Sequence, residues 1–148
     1  MATNRRFMAC TPEDVFAVMG NGWLYPAWVV GASRMRDVEE AWPAVDAKIH
    51  HSFGVWPLLI DDSTSILAWD PPHHAKMKAR GWPAGSAHVD ITVVAENTGC
   101  TVTLREDAVE GPGLLVPRPA RAVAIHVRND ETLQRLAYLA EGHAQERS

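Results

Sequence analysis

The chain has 148 residues, 47% of them apolar and 22% charged, with a net charge of −4, the composition of one globular domain with room for a real core. No apolar run approaches the length of a membrane crossing, and Met1 to Arg6 lacks the apolar segment of a signal peptide, so a soluble cytoplasmic protein is expected. An acidic balance argues against a nucleic-acid partner, which needs a basic surface, and Cys10 and Cys100 have no metal-ligand spacing and fit free thiols in a reducing compartment.

In chain order, Arg5 to Cys10 is short and apolar enough for a strand. Thr11-Pro12-Glu13-Asp14 then supplies an N-cap, a proline at the first helical position and acids where the helix dipole favours them. The short helix that follows carries Val15, Phe16, Val18 and Met19 and stops at Gly20-Asn21-Gly22. Trp23 to Val29 is too aromatic for a linker and is split by Pro26, which predicts a second short helix or turn whose rings need cover.

From Ser33 to Val109 the pattern has strand periodicity. Ser33–Glu39 is the second strand. In Lys48–Val55, Ile49, His51, Phe53 and Val55 alternate with Lys48, His50, Ser52 and Gly54, which assigns His51 to the apolar face. Leu58–Trp69 is a strand whose two faces do not separate. Ala75, Met77 and Ala79 oppose His74, Lys76, Lys78 and Arg80. Ala87, Val89, Ile91 and Val93 lead to the turn Asn97-Thr98-Gly99, and Val102 and Leu104 then share a face with Glu106 while Arg105 points away. Glu106 is thus a carboxylate on an apolar face.

Gly111-Pro112-Gly113 breaks the chain before a long helix that starts between Pro117 and Val123 and stops near Gly142. Ala122, Ile125, Leu133, Leu136 and Ala140 form its apolar stripe. Arg121, Arg128, Glu131, Gln134, Arg135 and Glu141 cover the remainder. Asn129 breaks the apolar stripe, with His126 as a second candidate. A buried polar group without a partner costs about 1 to 3 kcal/mol, so Asn129 must bond to backbone or face a cavity.

The pairs His50-His51 and His73-His74 are poor metal ligands, because strand neighbours point to opposite faces. No zinc, haem or phosphate-loop motif and no nucleophile elbow occurs, so neither metal nor cofactor is expected. The inward polar set is His51, Glu106 and Asn129. A His and a Glu in an apolar cavity can serve as base and acid, or simply pair with each other.

A strand, two short helices, six meandering strands and a long helix imply an α+β domain in which one antiparallel sheet curls around one helix. On Thr11-Pro12-Glu13-Asp14-Val15-Phe16, Trp28, Trp69-Asp70-Pro71-Pro72, Gly99 to Leu104 and Arg128 to Leu133, the chain resembles the Bet v 1-like and START-like helix-grip (SRPBCC) superfamily, in particular its polyketide cyclase/dehydrase and lipid transport group. The resemblance covers nearly all of residues 1–148, taken as a single domain. It implies a seven-stranded sheet wrapped around the C-terminal helix and an apolar cavity between them. In that order the first and last strands pair, which brings Cys10 towards Cys100.

The expected lining is His51, Phe53, Met77, Ile91, Glu106, Asn129 and Leu133, with Trp23 and Trp28 closing one side. Trp56, Trp82, Leu114 and Leu115, on turns at one end of the meander, would rim the entrance. The leading functional expectation is a carrier or sensor of a small hydrophobic molecule (a lipid, isoprenoid or polyketide), as monomer or homodimer. The alternative is a cofactor-independent polyketide cyclase or dehydratase with His51, Glu106 and Tyr25 as candidate catalytic groups. Cyclases of this fold carry a cavity Arg and Tyr, whereas Arg105 is expected to face outward and Tyr25 is the one Tyr candidate. A third reading, a partner-binding module of the coenzyme Q-associated or toxin-like branch, rests on the aromatic Trp23–Trp28 segment.

Overall fold

A computed structural model describes residues 2–53, 60–80, 85–110 and 117–147, with residues 53, 60, 108–110 and 121 described in backbone only. The elements run β1 (Ala2–Met8), α1 (Pro12–Gly20), a 3-10 turn (Gly22–Leu24), α2 (Tyr25–Trp28), β2 (Ala32–Val38), β3 (Lys48–Phe53), β4 (Ile60–Asp70), β5 (His74–Arg80), β6 (Ser86–Glu96), β7 (Gly99–Glu110) and α3 (Arg118–Arg147). The strands form one antiparallel sheet in the order β1-β7-β6-β5-β4-β3-β2, so the chain's first strand closes against its last. This is the α+β helix-grip architecture, with the long C-terminal helix packed on β1, α1, α2 and β7.

Local chemistry sets the boundaries. Asp14 N donates to the Thr11 hydroxyl while Thr11 N donates to the Asp14 carboxylate, a reciprocal capping box, and Pro12 opens α1. At Gly99 an added Cβ would collide with the Met8 carbonyl oxygen and approach Phe7 Cζ to 2.8 Å, so the β6–β7 turn can close on β1 only as glycine.

Cross-strand partners give the covered face of the sheet. One row runs Ala2, Glu106, Val89, Met77, Ile66 across five strands, and the next runs Asn4, Leu104, Ile91, Ala75, Trp69. Met77, Ile66, Leu104, Ile91 and Ala75 are buried, and Leu133, Leu136, Ala137 and Ala140 of α3 lie in the same core. Period-two alternation and the helical stripe therefore converge.

The end of α3 differs from the sequence expectation. The helix passes through Gly142 and continues to Arg147, and nothing lies within 4 Å of where a Gly142 side chain would start. The extra turn is held by side chains. Asp14, 1% exposed, accepts from Arg147 Nε at 2.9 Å, Arg147 Nη2 at 2.8 Å and His143 Nδ1 at 2.8 Å, while Glu141 accepts from the Ala9 amide at 2.8 Å. The Arg147 guanidinium, with help from His143 and Thr11, holds the Asp14 carboxyl well below the usual carboxylate range. Cys10 and Cys100 are free, buried and hydrogen-bonded to each other, and burial pushes Cys10 up to about 12. Among the described residues no helix is long and apolar enough to cross a membrane.

Candidate functional site

The short α2 drops Tyr25 and Trp28 onto the sheet, where both are buried, with ring centroids 5.6 Å apart and edge-to-face. The Tyr25 ring also stacks on His51 of β3, centroids 5.2 Å apart and planes 21° off parallel. Between them stands Thr64 of β4, fully buried. Its hydroxyl lies 2.9 Å from the Tyr25 phenol oxygen and 3.0 Å from His51 Nε2. The chain therefore has two proton arrangements. Either Tyr25 donates to Thr64, which donates to a bare Nε2 and leaves the proton on Nδ1, or Nε2–H donates to Thr64, which donates to Tyr25. Burial lowers the His51 pKa and keeps the ring neutral near pH 7, and burial pushes Tyr25 up to about 12, so the relay carries no net charge.

A charged pair also lies near Tyr25. Arg128 of α3 donates to Glu106 of β7, and both charges act on the Tyr25 phenol, Glu106 raising and Arg128 lowering its pKa. Glu106 is buried, as the alternation predicts, whereas Arg128 is not on the solvated face where the helical pattern puts it. Its stem lies along the flank of α3 and its head reaches inward to the carboxylate, leaving the side chain 32% exposed. Arg105, by contrast, is exposed.

Three buried polar atoms lack a direct hydrogen-bond partner among the described residues, Asn129 Nδ2, Asn4 Oδ1 and His51 Nδ1, and the His51 ring also feels the Ser52 backbone, which acts to raise its pKa. Asn129 is 2% exposed, on the inward stripe of α3 with Leu133. Asn4, which pairs across β1–β7 with Leu104, donates through Nδ2 to the His126 carbonyl of α3 at 2.9 Å. His126 itself presents an exposed side chain and does not break the inward stripe. The Thr132 hydroxyl accepts from the Val30 amide at 3.3 Å, which ties α3 to the segment after α2.

Of the remaining expected lining residues, Trp28, Met77, Ile91 and Leu133 are buried in the core. Phe53 ends β3, paired with Ala32 and Ile60. Trp23 is a correction: it is 58% exposed and does not close the site. The 3-10 turn places its ring outside, beside Val38, Glu39 and Trp42, while Gly22 takes the inward position, where a Cβ would come within 2.8 Å of Ile49 and Val38. Trp56, Trp82, Leu114 and Leu115 lie outside the described residues. Thr64 and Asn4 were not singled out by sequence reasoning, and no side-chain period marks either. Among the described residues no three His, Cys, Asp or Glu side chains converge as a metal site.

A buried polar cluster under a helix gripped by a seven-stranded sheet defines a protein of the SRPBCC class, and comparison with known proteins makes the assignment specific. Residues 2–141 match the model of the family described as polyketide cyclase / dehydrase and lipid transport, and the chain belongs to that family. No curated protein matches. Similar solved structures include the di-domain ARO/CYC StfQ from the steffimycin biosynthetic pathway (15% identity, TM-score 0.72, 98% of this chain and 50% of that one). Ara h 8.0201 is similar at 13% identity and TM-score 0.70, covering 97% and 96% of the two chains. A protein of unknown function from Staphylococcus aureus gives 11% identity and TM-score 0.74, with 97% and 94% covered. At these identities the likeness is one of fold.

Proposed function

We propose that the protein binds a small, mostly apolar molecule carrying one or two hydrogen-bonding oxygens, held between α3 and the sheet. The observation that carries this reading is Asn129 Nδ2, a buried donor without a partner among the described residues, on the inward stripe of α3 beside the buried Leu133. It leaves a hydrogen bond unmade, at about 1 to 3 kcal/mol, a cost that a ligand oxygen would offset on binding. The Tyr25–Thr64–His51 relay suits such a ligand because it can turn either end into the donor. Trp28 and the Tyr25 ring supply apolar walls. The family description, which includes lipid transport, supports the same class of ligand.

The test is displacement of anilinonaphthalene sulfonate by fatty acids, isoprenoid alcohols and aromatic polyketides, in wild type and Asn129→Leu. Saturable displacement by at least one class, weakened in the variant for oxygen-bearing members and unchanged for pure hydrocarbons, is expected. Absence of saturable displacement by every class contradicts the proposal.

A second reading, a cyclase or dehydratase, is favoured by one observation. The inward Arg that the outward Arg105 fails to provide is supplied from the helix, as Arg128, close enough for its charge to act on Tyr25. In that reading His51, neutral at pH 7, removes an α-proton from a β-keto substrate, and Tyr25 or Arg128 donates to the enolate oxygen. Deuterium exchange at the α-carbon of a β-diketone surrogate, lost in His51→Gln, would support turnover; exchange at the buffer rate would leave binding alone.

A further inference from the structure

Two buried amides between α3 and the sheet are left half-used, and in opposite senses. Asn129 of α3, 2% exposed, has a donor, Nδ2, without a partner among the described residues. Asn4 of β1, 4% exposed, donates through Nδ2 to the His126 carbonyl, which fixes the amide and leaves an acceptor, Oδ1, as the atom without a partner. His126 and Asn129 are one turn apart on α3, and helical side chains lean back toward the N-terminus, so both amides reach the interior at the same level of the helix. A free donor and a free acceptor at one level match a hydroxyl, which accepts at its oxygen and donates its proton. A ketone, an ether or a carboxylate can only accept.

The surrounding charges narrow the ligand further. Glu106 is buried and Arg128 donates to it, so the cation whose charge reaches Tyr25 is already paired. Around His51 the charges of Asp62 and Arg36 oppose each other, Arg36 lying 3.5 Å from Asp61 and Asp62 lying 3.5 Å from Arg80. His50, the strand neighbour of His51, pairs with Glu39 at 3.4 Å. A ligand carboxylate would therefore enter beside a buried Glu106 with no unpaired cation, among the described residues that act on Tyr25 or His51, to receive it. Such a buried charge is costly, whereas a neutral hydroxyl carries no such cost.

We infer that the site selects a neutral hydroxyl compound, an alcohol or a phenol, over the matching carboxylic acid, with the hydroxyl seated between Asn129 Nδ2 and Asn4 Oδ1. The inference rests on the binding proposed for this site and narrows its ligand class: isoprenoid alcohols and phenolic polyketides fit, and fatty acids do not.

The test is calorimetric titration of the full chain near pH 7 with two matched sets: geraniol, its methyl ether and geranate, and 2-naphthol, 2-methoxynaphthalene and 2-naphthoate. In at least one set the hydroxyl compound should bind about fivefold or more tighter than its ether and about tenfold or more tighter than its acid. Asn4→Leu should remove the preference over the ether and leave the affinity for the ether itself within about twofold. Glu106→Gln removes the repelling carboxylate and frees Arg128, so affinity for the acid should rise about tenfold, a gain that misfolding cannot produce. A hydroxyl compound bound no tighter than its ether, a preference that persists in Asn4→Leu, or an acid bound as tightly as the alcohol overturns the inference and leaves the proposed binding intact. So does a Glu106→Gln variant that melts like wild type and gains no affinity for acids. If no member of either set binds, the proposed binding itself fails and the inference falls with it.

Discussion

Replacing Asn129 by Leu changes stability with a sign that reports what the residue does. Its amide is 2% exposed, on the stripe of α3 that also carries Leu133, and Nδ2 has no partner among the described residues. Removing an unpaired buried amide recovers about 1 to 3 kcal/mol of desolvation. Leu keeps the branching but replaces a planar amide by two larger methyls, and in a close-packed core that returns about 1 kcal/mol of the gain as strain. The net expectation is a gain of about 1 kcal/mol, a rise in Tm of about 2 to 4 °C for a chain of this size. The measurement is urea and thermal unfolding of wild type and variant, both refolded after organic extraction so that no bound molecule contributes by mass action. A loss of about 1 kcal/mol or more in the extracted variant refutes the reasoning, because the amide would then be making a bond that stabilises the apo fold.

Thr64→Val should cost about 2 to 4 kcal/mol in urea unfolding, since one methyl strands both the Tyr25 phenol and His51 Nε2 in a buried site, and a cost under about 0.5 kcal/mol would dismiss the relay. His51 titrates lower in the folded than in the unfolded chain, so the unfolded state takes up its proton first. Stability must therefore fall as pH drops below about 6.5, and His51→Gln should flatten that limb of a Tm-against-pH profile. Asp14 is likewise held low when folded, so its contribution is complete above about 3.8 and fades as pH falls below that; Asp14→Asn should lose about 2 kcal/mol at pH 7 and the acid slope with it. Cys10, buried and pushed up to about 12, should resist iodoacetamide at pH 8 in the native protein and be alkylated, as should Cys100, once the chain is unfolded, and rapid native labelling would contradict the buried pair.

The strands that carry Ile49 and His51, Met77, Ile91 and Glu106 were legible because each alternates cleanly and one face is buried. Thr64 was hidden for a physical reason. Both faces of β4 are mixed, and a register shift between Ile66 and Ala68 breaks period two. Arg128 was misplaced because a helical wheel locates a Cα and not the head of a long side chain, and here the head crosses from the flank of α3 to Glu106. The end of α3 escaped because Gly142 is a stop signal only when nothing further holds the helix, and Asp14, distant in sequence, holds Arg147. Trp23 misled through its composition: an aromatic segment needs cover, but α2 buries Tyr25 and Trp28 while the preceding 3-10 turn leaves Trp23 outside.

Native mass spectrometry of the protein purified without organic solvent tests the central claim most directly. The account predicts one apolar, oxygen-bearing molecule per chain, released on mild collisional activation and present in smaller amount in Asn129→Leu. A bare polypeptide mass that stays bare after incubation with a total lipid extract would contradict it.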